Sequence, residues 1–150
     1  MSTYSFKDVV AAINGPGGSI NLAAGAGVAE EGITIEAVND MNTMTIGADG
    51  TGMHSLSADE SRNVTVRLLK TSPVNALLQN MYNLQRLSSV THGKNTITIR
   101  DVARGDQVVL QKVAFKRVPT LTFAKEGGFN EWTFDAITST TVLGVGTPEL

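Results

Sequence analysis

The stretch from Ser72 to Leu87 constrains this fold more than any other, because it holds the one convincing helical pattern in a chain of strands and turns. Ser72 suits the capping position through its hydroxyl. Pro73 suits the first helical position, where no backbone N–H is needed. Val74, Leu77, Leu78, Met81, Leu84 and Leu87 recur at three- and four-residue steps and draw an apolar stripe. Asn75, Gln79, Asn80, Asn83 and Gln85 give the other surfaces uncharged amides. The expected helix covers about residues 73–90. Its apolar stripe needs a partner face, and the remaining sequence offers only sheet.

Residues 4–13 (Tyr4, Phe6, Val9, Val10, Ile13) are expected to form a first strand, and Asn14-Gly15-Pro16-Gly17-Gly18 a turn. Ser19-Ile20-Asn21-Leu22 reads as the return strand of a hairpin. Ala23 to Gly32 is small and loose, a loop, and Ile33 to Val38 alternates as a strand. Residues 39–58 hold turn signals on both sides of Met41–Gly47, with Met41, Met44 and Met53 among them. They suit a projecting hairpin with adaptable apolar surface, or else methionines that fill gaps in the core.

Arg62–Lys70 is the clearest strand, with Val64, Val66 and Leu68 inward. Thr96–Val102 and Gln107–Val118 are expected to pair across the Ala103-Arg104-Gly105-Asp106 turn. Pro119 breaks the second of these, since it cannot donate to a ladder. Asn130–Ile137 is a further strand with Trp132, Phe134 and Ala136 on one face. Residues from Thr138 to Leu150 lack periodicity and read as an extended arm over about 139–150.

Composition narrows the function. At 150 residues the chain fits one domain with a single core, and 41% hydrophobic with 17% charged residues is a globular balance. A net charge of −2 gives no general argument for nucleic-acid or anionic-membrane affinity, and there is no cysteine for disulfide, thiolate or Cys-metal chemistry. No apolar run approaches the roughly 20 residues of a membrane span. The N-terminus lacks the basic start and apolar stretch of a signal peptide, so a soluble protein made in a cytoplasm is expected.

Chemical motifs are missing as well. His54 and His92 stand apart in polar turns without metal-ligand spacing, no Gly-x-Ser-x-Gly elbow occurs, and Gly25-Ala26-Gly27 lacks the third glycine of a dinucleotide loop. Glu30-Glu31 and Asp59-Glu60 are adjacent carboxylates, which usually point apart. The expectation is a protein that is not an enzyme and takes no cofactor or metal. Arg62, Arg67, Lys70, Arg100, Arg104, Lys112, Lys116 and Arg117 read as solvated strand faces, or as a basic surface meeting Glu30, Glu31, Asp59 and Glu60 of another copy. A ligand-binding β-sandwich would need an aromatic platform, and the aromatics sit at core-like positions.

The chain resembles the tail-tube (inner core) proteins of contractile-tailed bacteriophages. The resemblance runs nearly end to end. It rests on Tyr4-Ser5-Phe6-Lys7-Asp8-Val9-Val10-Ala11, the Gly-rich turn at 15–18, Thr71-Ser72-Pro73-Val74-Asn75-Ala76-Leu77-Leu78, Phe123-Ala124-Lys125-Glu126-Gly127-Gly128 and Trp132-Thr133-Phe134-Asp135-Ala136. It implies a mainly β fold, a barrel or sandwich of two packed antiparallel sheets with one flanking helix, related to the ring proteins of type VI secretion. It also implies a virion tail component, made in the host bacterial cytoplasm. Hexameric rings would stack into a hollow tube that conducts DNA and penetrates the host envelope. The implied partners are further copies, the sheath, the baseplate and tail-terminator proteins, and the tape measure protein and DNA in the lumen. A tail terminator or baseplate hub on the same scaffold is the alternative.

Mapped onto this chain, ring stacking falls to the hairpin with Met41, Met44 and Met53 and to arms at 1–5 and 139–150. Asn80 and Asn83 on the outer helix face are candidates for contact with a neighbour or the sheath. A lumen that conducts DNA should repel it, which makes Glu36, Asp101, Glu131 and Asp135 the lumen-facing candidates.

Overall fold

Strict alternation over Arg62–Leu69 produces a strand in which Val64, Val66 and Leu68 are fully buried, and every other strand of the main sheet takes its register from such inward rows. A computed structural model describes residues 3–23 and 28–146, without the side chains of 28–31. Its strands are β1 (Val9–Gly15), β2 (Gly18–Asn21), β3 (Val28–Ala37), β4 (Asn42–Ile46), β5 (Gly52–Leu56), β6 (Arg62–Leu69), β7 (Asn95–Asp101), β8 (Asp106–Arg117) and β9 (Phe129–Val142). The helix α1 is Val74–Gln85.

The fold is mainly β, with two antiparallel sheets and one helix, and is sandwich-like rather than a closed barrel. Seven strands form one sheet in the order β2-β1-β7-β8-β9-β6-β3, and β4 pairs with β5 in a separate two-stranded sheet. One cluster of buried apolar side chains lies between the main sheet and α1. Phe115 is its hinge point: its ring meets Tyr82 of the helix at 5.7 Å, Trp132 at 6.0 Å and Phe134 at 4.8 Å.

The helix begins as expected, with Ser72 Oγ accepting from the Val74 N–H at 3.2 Å and Pro73 already helical at φ −67. It ends five residues earlier than the expected 90, because the Thr91 hydroxyl donates to the Gln85 carbonyl at 3.0 Å and folds the following turn beneath it. The buried line is Val74, Leu78, Met81 and Gln85, whereas Leu77, Leu84 and Leu87 of the expected stripe are exposed. Gln85 displaces them because its amide is satisfied indoors. Its Nε2 donates to Asn95 Oδ1 at 2.7 Å and to the Pro16 carbonyl at 2.9 Å, and its Oε1 accepts from Asn95 Nδ2 at 2.7 Å. Asn75 is likewise committed, accepting from Trp132 Nε1 at 3.0 Å.

Three strand boundaries also differ. Phe6–Asp8 is a short 3-10 turn, so the first strand starts only at Val9; Ser5 Oγ takes the Lys7 N–H at 3.2 Å and the Asp8 N–H bonds the Ser5 carbonyl. The expected loop at 23–32 becomes β3 from Val28, because Gly32 at φ +65 permits the register shift between Val28 and Ile33; residues 24–27 lie outside the described residues. The expected tail from Thr138 stays in the sheet to Val142, since Thr138–Val142 pair with Gln107–Gln111. These residues, β-branched except for Ser139, suit a strand although they lack apolar alternation.

Candidate assembly site

Cross-strand register assigns each candidate a face. On the side of the sheet away from α1, Glu36 stands opposite Asn63, and Asn63 opposite Asp135. Thr34, Thr65 and Thr133 form the next row, and Arg67 with Glu131 the row after. Arg67 Nε lies 3.2 Å from Glu131 Oε2, and Lys116 Nζ lies 4.0 Å from Asp135 Oδ1. Glu36, Glu131 and Asp135 therefore share one polar face. Asp101 does not. It sits in register with buried Val9, is itself buried, and bonds Arg104 Nη1 at 3.1 Å. Alternation along β7 turns it toward the helix side, and Arg104 three residues later neutralises it.

The β4–β5 hairpin is the opposite of the core in character. All ten of its strand positions are exposed. The pairing Met44↔His54, with Asn42↔Leu56 and Ile46↔Gly52 beside it, puts Met44, Ile46 and Leu56 on one face. Met53, opposite Thr45, falls on the other. The methionines are thus surface residues, not core filler, and Met44 and Met53 do not share a face. At the base, Asp59 joins the two stems: its Oδ2 accepts from Asn39 Nδ2 at 2.7 Å and its Oδ1 from the Ser61 N–H at 2.8 Å. The Asn39 and Ser61 hydrogen bonds, helped by the Arg62 charge, lower its pKa to about 2. At the tip, Asp49 accepts from the Thr51 N–H at 3.0 Å, and the Thr51 bonds lower its pKa too.

On the helix, Asn80 and Asn83 are exposed, and Asn83 accepts from Gln79 at 3.1 Å. Exposed Leu77 and Leu84 join Asn80 beside a cavity of about 360 Å³ against the edge strand β2. Residues 3–5 are held at the β7–β8 turn, where Arg104 donates to the Thr3 carbonyl and its guanidinium lies 4.8 Å from the Tyr4 ring. The Gly144 N–H reaches the same turn, at Asp106 Oδ1 2.9 Å away. The ends of the two expected arms, 1–2 and 147–150, lie outside the described residues, as do the side chains of Glu30 and Glu31. His54 and His92 are both exposed. Among the described residues no group of three potential ligands could hold a metal, and no helix is long and apolar enough to cross a membrane.

The family model of the bacteriophage PhiTE tail tube protein matches residues 1–144. The chain belongs to this phage tail tube family. Solved structures similar to this family member share its fold at low identity. The cap that terminates the tube of the anti-feeding prophage is 12% identical with a TM-score of 0.58, covering 96% of this chain and 93% of that one. A chain of the sheath–tube complex of the PVC extracellular contractile injection system in its extended state is 12% identical with a TM-score of 0.55, covering 90% and 88%. The sheath/tube terminator of the PVC system is 14% identical with a TM-score of 0.59, covering 95% and 98%. No curated protein matches the sequence. A tail tube family member is a structural protein of the virion tail.

Proposed function

We propose that this chain assembles into hexameric rings that stack as a hollow tube, conducts DNA through the lumen, and works without enzymatic chemistry inside a contractile sheath. The observation that carries the reading is the tail tube family match over residues 1–144. The surfaces support it. The main sheet ends on β2 at one side and β3 at the other, and ring closure between neighbours would cover both edges. On the face away from α1, Glu131 and Asp135 are paired with Arg67 and Lys116, and Glu36, in no ion pair among the described residues, is the carboxylate left to give a lumen a repelling sign.

In this reading the hairpin with Met41, Met44 and Met53 stacks ring on ring, aided by residues 3–5 and 143–146, and Asn80 and Asn83 meet a neighbour or the sheath. Baseplate, terminator and tape measure proteins complete the partners. The subunit is made in the host cytoplasm and ends in the virion. Negative-stain micrographs of the purified protein should contain rings or tubes with a central pore. A strictly monomeric species over a wide concentration range would overturn the reading. A second reading, a tube terminator, is favoured by the likeness to a cap and a terminator at TM-scores of 0.58 and 0.59. A terminator stops at a single ring, whereas a tube subunit polymerises.

A further inference from the structure

Charge is sharply segregated along this chain. Every Lys and Arg except Lys7 lies between residues 62 and 125, whereas the hairpin and its stems, 39–61, carry Asp40, Asp49, Asp59 and Glu60 and no Lys or Arg. One protruding element is therefore purely acidic, and the basic residues lie elsewhere. The tip of the hairpin is narrow, since Gly47, Gly50 and Gly52 add no side chains, and a Gly47 N–H to Thr51 carbonyl bond of 2.7 Å closes it. Asp49 is fixed there by Thr51 and is ionised at neutral pH.

A concavity elsewhere on the chain carries two lysines that such a tip could meet. A pocket of about 690 Å³ lies where β7 begins and β8 bulges, and its rim carries His92, Lys94 and Lys112. The β8 bulge opposite Asn95–Ile97 puts Lys112 at φ 55, the one positive φ outside glycine among the described residues. One carboxylate, Asp135, also lines the pocket, and it is engaged with Lys116 at 4.0 Å. Lys94 and Lys112 form no ion pair among the described residues. A smaller cavity of about 390 Å³ adjoins through His92 and adds Arg86 and Lys116 to the same cationic end.

We propose that the Asp49 tip of one copy's β4–β5 hairpin docks in the Lys94–Lys112 pocket of a second copy. This rests on the reading of the protein as a self-assembling tube subunit and assigns the hairpin its receptor. The contact is ionic and directional, so it fixes which copy faces which as well as attracting it.

Because the chain has no cysteine, the contact can be read by disulfide formation between two full-length single-cysteine proteins, one Asp49→Cys and one Lys94→Cys. Mixed under mild oxidation, they should give a covalent dimer at least tenfold faster than either alone, and tenfold faster than Asp49→Cys mixed with Thr141→Cys. Raising NaCl should weaken assembly of the wild type, which keeps both the Asp49 and the Lys94 charges. In parallel, Asp49→Lys and the pair Lys94→Glu with Lys112→Asp should each cut the assembly constant at least tenfold, and the triple variant should recover it. Tubes without the cross-link overturn the docking and leave the tube reading standing. The cross-link without rings or tubes keeps the docking and removes the tube reading, and neither product removes both. Duplex DNA bound by the wild type and lost in Lys94→Glu with Lys112→Asp, with assembly unchanged, would assign the pocket to nucleic acid and overturn the proposal.

Discussion

The end of α1 and the β4–β5 hairpin are both tied down by side-chain amides, yet they are built to opposite rules. At the helix end, Gln85 and Asn95 exchange two hydrogen bonds of 2.7 Å and Asn95 adds a third to the Val113 carbonyl at 3.0 Å, all inside the core. Gly15 makes this possible, since a Cβ there would stand 1.9 Å from Asn95 Oδ1. At the hairpin base, exposed Asn39 and half-buried Asp59 and Ser61 bond at the surface, and the strands beyond are exposed at every position. The first site specifies the fold, because a buried amide is stable only with its partner. The second orients an element whose apolar residues, Met44, Ile46 and Leu56, are left for another surface.

The largest effect should come from breaking the buried pair. Asn95→Ala removes the donor to Gln85 Oε1 and to the Val113 carbonyl and one acceptor of Gln85 Nε2 in the core, which should cost about 3 kcal/mol. Urea unfolding would show it as a lower midpoint with an unchanged slope. A loss below about 0.5 kcal/mol would mean that water takes over Asn95's bonds, and the contrast with the hairpin would collapse.

A smaller stability effect and a larger assembly effect are expected at the exposed sites. Met44→Ser with Leu56→Ser should shift unfolding by less than about 0.5 kcal/mol, because neither side chain is buried in the subunit. Ring stacking in micrographs should nevertheless be lost. Asn80→Lys with Asn83→Lys should behave similarly at the helix contact, with less severity. If either pair unfolds the protein, the division between folding and assembly surfaces is wrong.

Much of the fold was legible because it depends on local patterns. β6 and the first half of β9 alternate strictly, so Val64, Val66, Leu68, Trp132, Phe134 and Ala136 could be assigned inward from sequence, and all are buried. The start of the helix was legible from Ser72 and Pro73. Its facing was not, because hydropathy places Leu84 inside and Gln85 outside, while the deciding bond is to Asn95 on a different element. Asp101 misled through its charge: alternation with Ile97 and Ile99 already puts it on the inward row, and the β1–β7 pairing sets it opposite buried Val9. The pocket had no sequence signal at all. Lys94 and Lys112 are far apart in the chain, and a bulge brings them to one rim.

The finest test of the contrast is acid. The Gln85–Asn95 pair contains no titrating group, so pH acts on it only through global unfolding. Asp59 differs: its pKa falls from the ordinary aspartate value of 3.8 to about 2 in the fold, so the anchoring of the hairpin base is fully present above the unfolded value. As pH falls through about 2, the carboxylate takes a proton and stops accepting from both Asn39 and Ser61. The Asn39 side-chain amide resonances should therefore be constant from neutral pH to about 3 and be half-shifted at about pH 2, with the Gln85 and Asn95 amides unchanged over that span. In Asp59→Asn the Asn39 signals should lose their acid dependence. Movement of the Asn39 signals between pH 5 and 7 would instead tie the hairpin base to another group, and the base would no longer be the independent anchor that separates the hairpin from the core.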